Sequence, residues 1–97
     1  MVQRMETTDP FAKRLIAHYL GRRASDVEAL RDALGAGEFD AIRVTGHNMF
    51  GSGEAYGLKR ISEIGRDIEA AAEQRDGTTV AAHIDALEAY LRELTIS

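Results

Sequence analysis

The sequence predicts an all-α protein, an up-and-down antiparallel four-helix bundle with an additional short N-terminal helix. The composition favours helices over strands, because the 97-residue chain is rich in Ala, Leu, Glu and Arg and has one proline. Apolar residues recur three and four positions apart, which is the spacing of a helix face. Glycines and capping residues separate the helical segments by short turns, and short turns join antiparallel neighbours.

The first predicted helix is the short additional one. Asp9 suits the N-cap, and Pro10 suits the first helical position, where its missing N–H is not needed. Apolar residues then continue at helical spacing up to an expected stop at Gly21. A capping box, in which Ser25 and Glu28 each bond the other's free backbone N–H, is expected to start the second helix.

Three longer helices are predicted in the rest of the chain. The third starts near Glu38 and continues through a glycine-rich stretch to Gly57. The fourth ends near Asp76, and Thr78 or Thr79 is expected to cap the fifth. These five segments give the four helices of the bundle and the short helix attached to it.

Length and composition indicate a single domain over residues 9–97, preceded by a flexible N-terminus at residues 1–8. The absence of cysteine excludes disulfides and thiolate metal sites, and a net charge of −4 argues against nucleic-acid binding. The chain lacks both a bilayer-spanning apolar run and the apolar segment of a signal peptide. We therefore expect a cytoplasmic, stand-alone protein with no nucleic-acid or membrane partner. A fragment of a hybrid kinase is the alternative, and the oligomeric state is left open.

The stretch GHNMFGSGEAYG, residues 46–57, places four glycines around one histidine. On a single helix through residues 38–55, the inward stripe contains Phe39, Ile42, Gly46, Met49 and Gly53. Small residues on such a stripe let two helices approach closely. We interpret the last three of these residues as structural neighbours of the site.

His47 is the candidate functional residue of this stretch. It follows Gly46 by one position, about 100° round the helix, which places it on the flank or outer face. Gly51 lies one turn beyond and removes the side chain that would shield the imidazole. Gly57 is the expected residue of positive φ after the end of the helix. An exposed histidine beside bare backbone is a site that another protein can approach closely.

These residues resemble the signature of the histidine-containing phosphotransfer (HPt) domain of multi-step two-component signalling. In that signature a histidine is followed by a leucine-like residue at two positions, lysine at three, and glycine at four and at ten. The corresponding residues are His47, Met49, Phe50, Gly51 and Gly57. The lead AGEFDAIRVTGH and the downstream segment LKRISEIGRDIEAA, with its Ile68-Glu69 pair, are also similar to the family.

The resemblance implies a phosphorelay function. His47 would accept a phosphoryl group from a receiver-domain aspartate or a hybrid kinase. It would then pass the group to another response-regulator receiver, without kinase activity of its own. No cofactor or metal site is expected in this chain, because the receiver supplies Mg²⁺. The face that meets the partner is expected to include Asn48, Phe50, Gly51 and Glu54.

The chain departs from the family at Phe50, which stands where the family has a lysine that presents a cation to the phosphoryl group. Arg43, one turn before His47, is one candidate to supply that cation. Arg66 is a second and weaker candidate, because a hairpin turning near Gly57 brings it to about the level of His47.

Two other functions are consistent with the sequence. The first is an HPt-like interaction module that binds a receiver or kinase without phosphotransfer, which the loss of the lysine at Phe50 favours. The second is an unrelated helical dimerisation or adaptor domain. If the third predicted helix is rotated from the expected setting, Phe50 is a core residue. His18 and His83 lack comparable surroundings, and we interpret both as structural or solvated.

Overall fold

The computed structural model describes residues 3–5 and 9–96, with side chains for residues 9–94. Its helices are α1 (Pro10–Gly35), α2 (Phe39–Ala55), α3 (Lys59–Glu73) and α4 (Gly77–Glu93). Two three-residue strands, β1 (Gln3–Met5) and β2 (Leu94–Ile96), pair in parallel. Residues 1, 2 and 6–8 of the predicted flexible N-terminus lie outside the described residues.

The four helices form the predicted all-α arrangement around one core. Each helix packs against the next in sequence, and α4 returns to pack against α1. All four contribute fully buried apolar side chains, among them Leu30, Ile42, Met49, Ile64 and Leu87. None of the helices over residues 10–93 combines the length and apolarity needed to cross a membrane.

The predicted short N-terminal helix is not a separate element. Helix α1 is continuous over 26 residues, so the expected stop at Gly21 and the expected capping box of Ser25 and Glu28 are wrong. Gly21 keeps a helical backbone, and no proline interrupts the hydrogen-bond ladder around it. A glycine inside a helix costs about 1 kcal/mol relative to alanine, which the burial of Tyr19 and Val27 on either side offsets.

The start of α1 and the end of α2 follow the predictions. The side chain of Asp9 accepts a hydrogen bond from the Phe11 N–H at 2.9 Å, as expected of an N-cap. Gly57 has φ +72°, and the N–H of Leu58 donates to the carbonyl of Gly53 at 2.8 Å. This is the bond that closes a Schellman turn after a helix.

The turn between α3 and α4 differs from the other two turns at one residue. Gly37 and Gly57 supply the positive φ after α1 and α2, but Arg75 supplies it after α3, with φ 53°. The N-cap of α4 is Asp76, whose carboxylate accepts the N–H of Thr79 at 3.1 Å. The expectation that a threonine caps this helix is therefore wrong. Asp76 precedes both threonines, and its carboxylate satisfies the free N–H of Thr79.

Helices α2 and α3 are in backbone contact. A Cβ on Gly46 would lie 2.7 Å from the carbonyl oxygen of Gly65, and one on Gly53 would lie 2.6 Å from the Ser62 nitrogen. Real Cβ atoms do not approach backbone atoms this closely. Gly46 and Gly53 therefore serve the packing role that was predicted for them, and Gly65 completes the contact from α3.

Candidate functional site

His47 projects from the outer face of α2. It follows the buried Gly46, and its side chain is 66% exposed. Gly51, one turn later, is exposed, and a Cβ built there would meet nothing within 4 Å. The imidazole is therefore open to solvent on the side that the sequence indicated.

A carboxylate from α3 holds the His47 ring. Nδ1 of His47 lies 3.0 Å from Oε2 of Glu69, whose side chain is 21% exposed. A carboxylate accepts hydrogen bonds and donates none, so Nδ1 carries the hydrogen of the neutral ring. The lone pair is then on Nε2, for which residues 9–94 provide no hydrogen-bond partner.

The sequence pattern does not predict a site role for Glu69, although the Ile68-Glu69 pair is part of the resemblance to HPt domains. The register of the α2–α3 hairpin explains how this carboxylate reaches the histidine. Gly53 lies against Ser62, and seven residues further out Gly46 lies against the backbone nitrogen of Glu69. The two glycines of the inward stripe determine this register, because each one lies at a point where the helix backbones touch.

Phe50 and Arg66 form a second contact across the same two helices. The guanidinium carbon of Arg66 lies 4.9 Å from the centroid of the Phe50 ring, within the range of a cation–π interaction. Phe50 is half-buried at the seam between α2 and α3, and Arg66 is exposed. Phe50 is thus not a fully buried core residue, and one face of its ring lies against the Arg66 guanidinium.

Arg43, the other candidate cation, is half-buried one turn before His47 on α2. Among residues 9–94, it makes no hydrogen bond, ion pair or ring contact. No described contact therefore orients its guanidinium towards the imidazole.

The two remaining residues of the expected partner face lie on opposite flanks of α2. Glu54 is exposed on the α3 side, where the Ser62 hydroxyl donates to its carboxylate at 3.1 Å. It lines a surface depression of about 460 Å³ together with Arg66 and other charged residues of α3. Asn48 is exposed on the α1 side. The predicted face therefore curves round α2 rather than forming one plane.

A polar cluster fixes α1 against α2 on the Asn48 side, and sequence reasoning missed it. The hydroxyls of Tyr19 and Ser52 are hydrogen-bonded at 2.8 Å, and Arg23 donates to Ser52 at 3.0 Å. Arg23 also lies 2.8 Å from the carboxylate of Asp26. Burial raises the pKa of Asp26, and the charge of Arg23 opposes that rise. Tyr56 stacks on Tyr19 at 4.2 Å, so the cluster reaches the end of α2.

The other two histidines have no comparable surroundings. His18 is exposed on α1 and His83 is half-buried on α4. Within the described part of the chain, neither makes a hydrogen bond or an ion pair. That same part contains no group of three or more metal-ligating side chains.

Comparisons of the chain with family models, with curated proteins and with solved structures gave no match. The candidate site therefore stands on the chain's own residues and geometry.

Proposed function

We propose that His47 is the phosphoryl carrier of a phosphorelay. It accepts the group from the aspartate of a receiver domain or from a hybrid kinase, and passes it to another response-regulator receiver. The observation that carries this proposal is the His47–Glu69 contact, which orients a side chain that is 66% exposed and leaves Nε2 without a partner among residues 9–94. The HPt resemblance supports the choice of a receiver aspartate as the other party.

The transfer step suits this geometry. The Nε2 lone pair of His47 attacks phosphorus in line with the scissile P–O bond of the aspartyl phosphate. The N–P bond forms as the P–O bond breaks, and the electron pair of that bond returns to the receiver carboxylate. The ring keeps its Nδ1 proton and becomes a phosphoimidazolium, whose positive charge faces the carboxylate of Glu69 at 3.0 Å.

The rest of the hairpin supports this step by keeping the ring in place. The backbone contact of Gly46 with Gly65 sets the rotation of α2 against α3, and so sets the distance between His47 and Glu69. Positioning of this kind supplies much of the catalysis in phosphoryl transfer. The bare backbone at Gly51 leaves room for the receiver loops that carry the aspartate.

The proposal is tested by mixing the protein with phosphorylated receiver domains and following labelled phosphate. We expect an acid-labile, base-stable phosphoprotein that His47→Gln abolishes. His18→Gln is the matched control, because it removes an exposed helical histidine without carboxylate support, and it should label like the wild type.

A second function, binding a receiver or kinase without phosphotransfer, is favoured by one observation. Phe50 stands where the HPt family has its lysine, so α2 itself offers no charge at that position. A wild-type protein that binds receivers and yet takes no label from any receiver tested would support the interaction module and contradict the carrier.

A further inference from the structure

We infer that Arg66, held on the ring of Phe50, is the cation that faces the phosphoryl group on His47. This inference rests on the proposed carrier function and gives Phe50 a role in it. Arg66 would be a catalytic residue, because it touches the transferred group, and Phe50 a positioning residue that acts through it.

Two contacts connect α2 and α3 side by side. His47 contacts Glu69, and three residues further along α2, Phe50 contacts Arg66. Arg66 in turn lies three residues before Glu69 on the antiparallel α3. Residues three apart on a helix are surface neighbours, about 5–6 Å apart at Cβ. Arg66 is therefore adjacent both to Glu69, the carboxylate that orients His47, and to the ring of Phe50.

Phosphorylation of His47 would change the charge at the site. A phosphoryl group on Nε2 of His47 brings negative charge close to the carboxylate of Glu69. In water-exposed positions this repulsion is modest but unfavourable, and a nearby cation offsets it. A guanidinium suits the task because its planar donors match two phosphate oxygens at once.

The Arg66 guanidinium is available for such a contact. It is exposed, and over residues 9–94 it forms no ion pair, although Glu54, Glu63 and Asp67 line the same surface depression. Stacking on Phe50 restricts the guanidinium without using its N–H donors. An aromatic platform thus replaces the missing lysine by presenting a charge from the neighbouring helix.

The test uses the full chain and phosphoramidate, a small phosphodonor that needs no receiver. Nε2 attacks its phosphorus, the P–N bond breaks and ammonia leaves. We expect Arg66→Ala to label His47 roughly tenfold more slowly, the loss expected when one charge-assisted hydrogen bond to the transition state is removed. Arg66→Lys should keep most of the labelling rate. Phe50→Leu keeps most of the apolar volume but removes the ring, and it should label several-fold more slowly. Arg60→Ala is the matched control, because it removes another exposed arginine of α3 from the same depression.

A rescue experiment separates charge presentation from a general structural effect. Phe50→Lys combined with Arg66→Ala should recover most of the wild-type rate, because the charge returns from the position used by the HPt family. Thermal midpoints of all variants, followed by circular dichroism, should stay within a few degrees of one another.

Two results would overturn the inference while leaving the proposed function in place. One is wild-type labelling at His47 with an unchanged rate in Arg66→Ala. The other is a loss confined to Arg43→Ala, which would identify Arg43 as the cation. A wild-type protein that takes no label at His47 from either phosphoramidate or receivers overturns both the inference and the proposed function.

Discussion

Gly46 lies so close to Gly65 that a Cβ on either residue would be 2.7 Å from the carbonyl oxygen of the other. Any side chain between the two helices would separate them, so only the faces that carry glycine can meet. This fixes the rotation of each helix about its own axis. His47 and Phe50 occupy the same face just outside this contact. The contact therefore fixes which residues of α3 they meet.

Gly46→Ala is expected to destabilise the protein although alanine is the better helix former. The added methyl group would press on the Gly65 carbonyl and the Glu69 nitrogen, and overpacking of this kind costs about 1–3 kcal/mol. Gly51→Ala is the matched control in the same helix. Its methyl group meets nothing within 4 Å, so the unfolding free energy should rise by about 0.5–1 kcal/mol. Urea denaturation measures both, and equal effects would contradict the assigned contact.

Arg75→Gly is expected to stabilise the protein. Arg75 has φ 53°, a conformation that costs an L-residue about 1 kcal/mol or more and costs glycine little. Part of the gain is offset because the guanidinium lies 5.0 Å from the Phe39 ring centroid. Arg75→Ala separates the two effects, since it keeps the strain and loses the ring contact, and should be less stable than wild type. Thermal unfolding gives the order of the three proteins, and a glycine variant below the alanine variant would contradict the strain argument.

Glu69→Ala is expected to change the tautomer of His47. Without the carboxylate, Nδ1 loses its acceptor, and the hydrogen redistributes towards Nε2, the tautomer that dominates in free imidazole side chains. The ¹⁵N shifts of the ring report the two nitrogens separately. Labelling by phosphoramidate should slow in parallel, because less of the ring has its lone pair on Nε2.

Glu73→Ala is the control for this variant, since it removes another carboxylate one turn later on α3. It should leave both the ¹⁵N shifts and the labelling rate unchanged. A wild-type ring with its hydrogen on Nε2 would contradict the assignment of Glu69.

The N-cap of α4 is expected to make the protein acid-sensitive. Hydrogen bonds from the hydroxyl and N–H of Thr79 hold the pKa of Asp76 below its ordinary value of 3.8. The unfolded chain then binds more protons than the folded chain around that pH. The stabilising contribution of Asp76 is therefore complete above the ordinary value and is lost as the pH falls through the lower, folded-state pKa.

This prediction is checked by measuring the unfolding free energy of wild type and Asp76→Asn between pH 2 and 6. Asparagine still caps a helix but carries no charge. The difference between the two proteins should shrink as the pH falls. A constant difference over this range would show that the charge of Asp76 does not contribute.

Much of the site could be predicted from the sequence because it depends on one helix. The position of His47 relative to Gly46 is enough to place the ring on the outer face, and the glycine at 57 is enough to end α2. Glu69 could not be assigned in this way, because its role depends on the register between two helices. The sequence predicts Arg66 at about the level of His47, but it does not predict that the guanidinium lies over the ring of Phe50, because that contact depends on the same register.

The error at α1 has a different physical origin. Gly21 is typical of the end of a helix and Ser25 of the start of the next one, and each preference is worth about 1 kcal/mol. Burial of Tyr19 and Val27 on the two sides of that point is worth more, and one continuous helix buries both. Local signals of this size are decided by tertiary packing, which the local sequence pattern does not contain.

The direct contact of α2 and α3 also indicates which surfaces of the protein do not support the site. No described contact of His47 or Phe50 involves a side chain of α1 or α4. We therefore expect substitutions on the exposed faces of those two helices to leave the geometry of His47 and Phe50 unchanged, provided that their buried side chains still fill the core. A methyl group at Gly46, by contrast, would press on the backbone of Gly65 and Glu69, and we expect it to lengthen the 3.0 Å contact between His47 and Glu69.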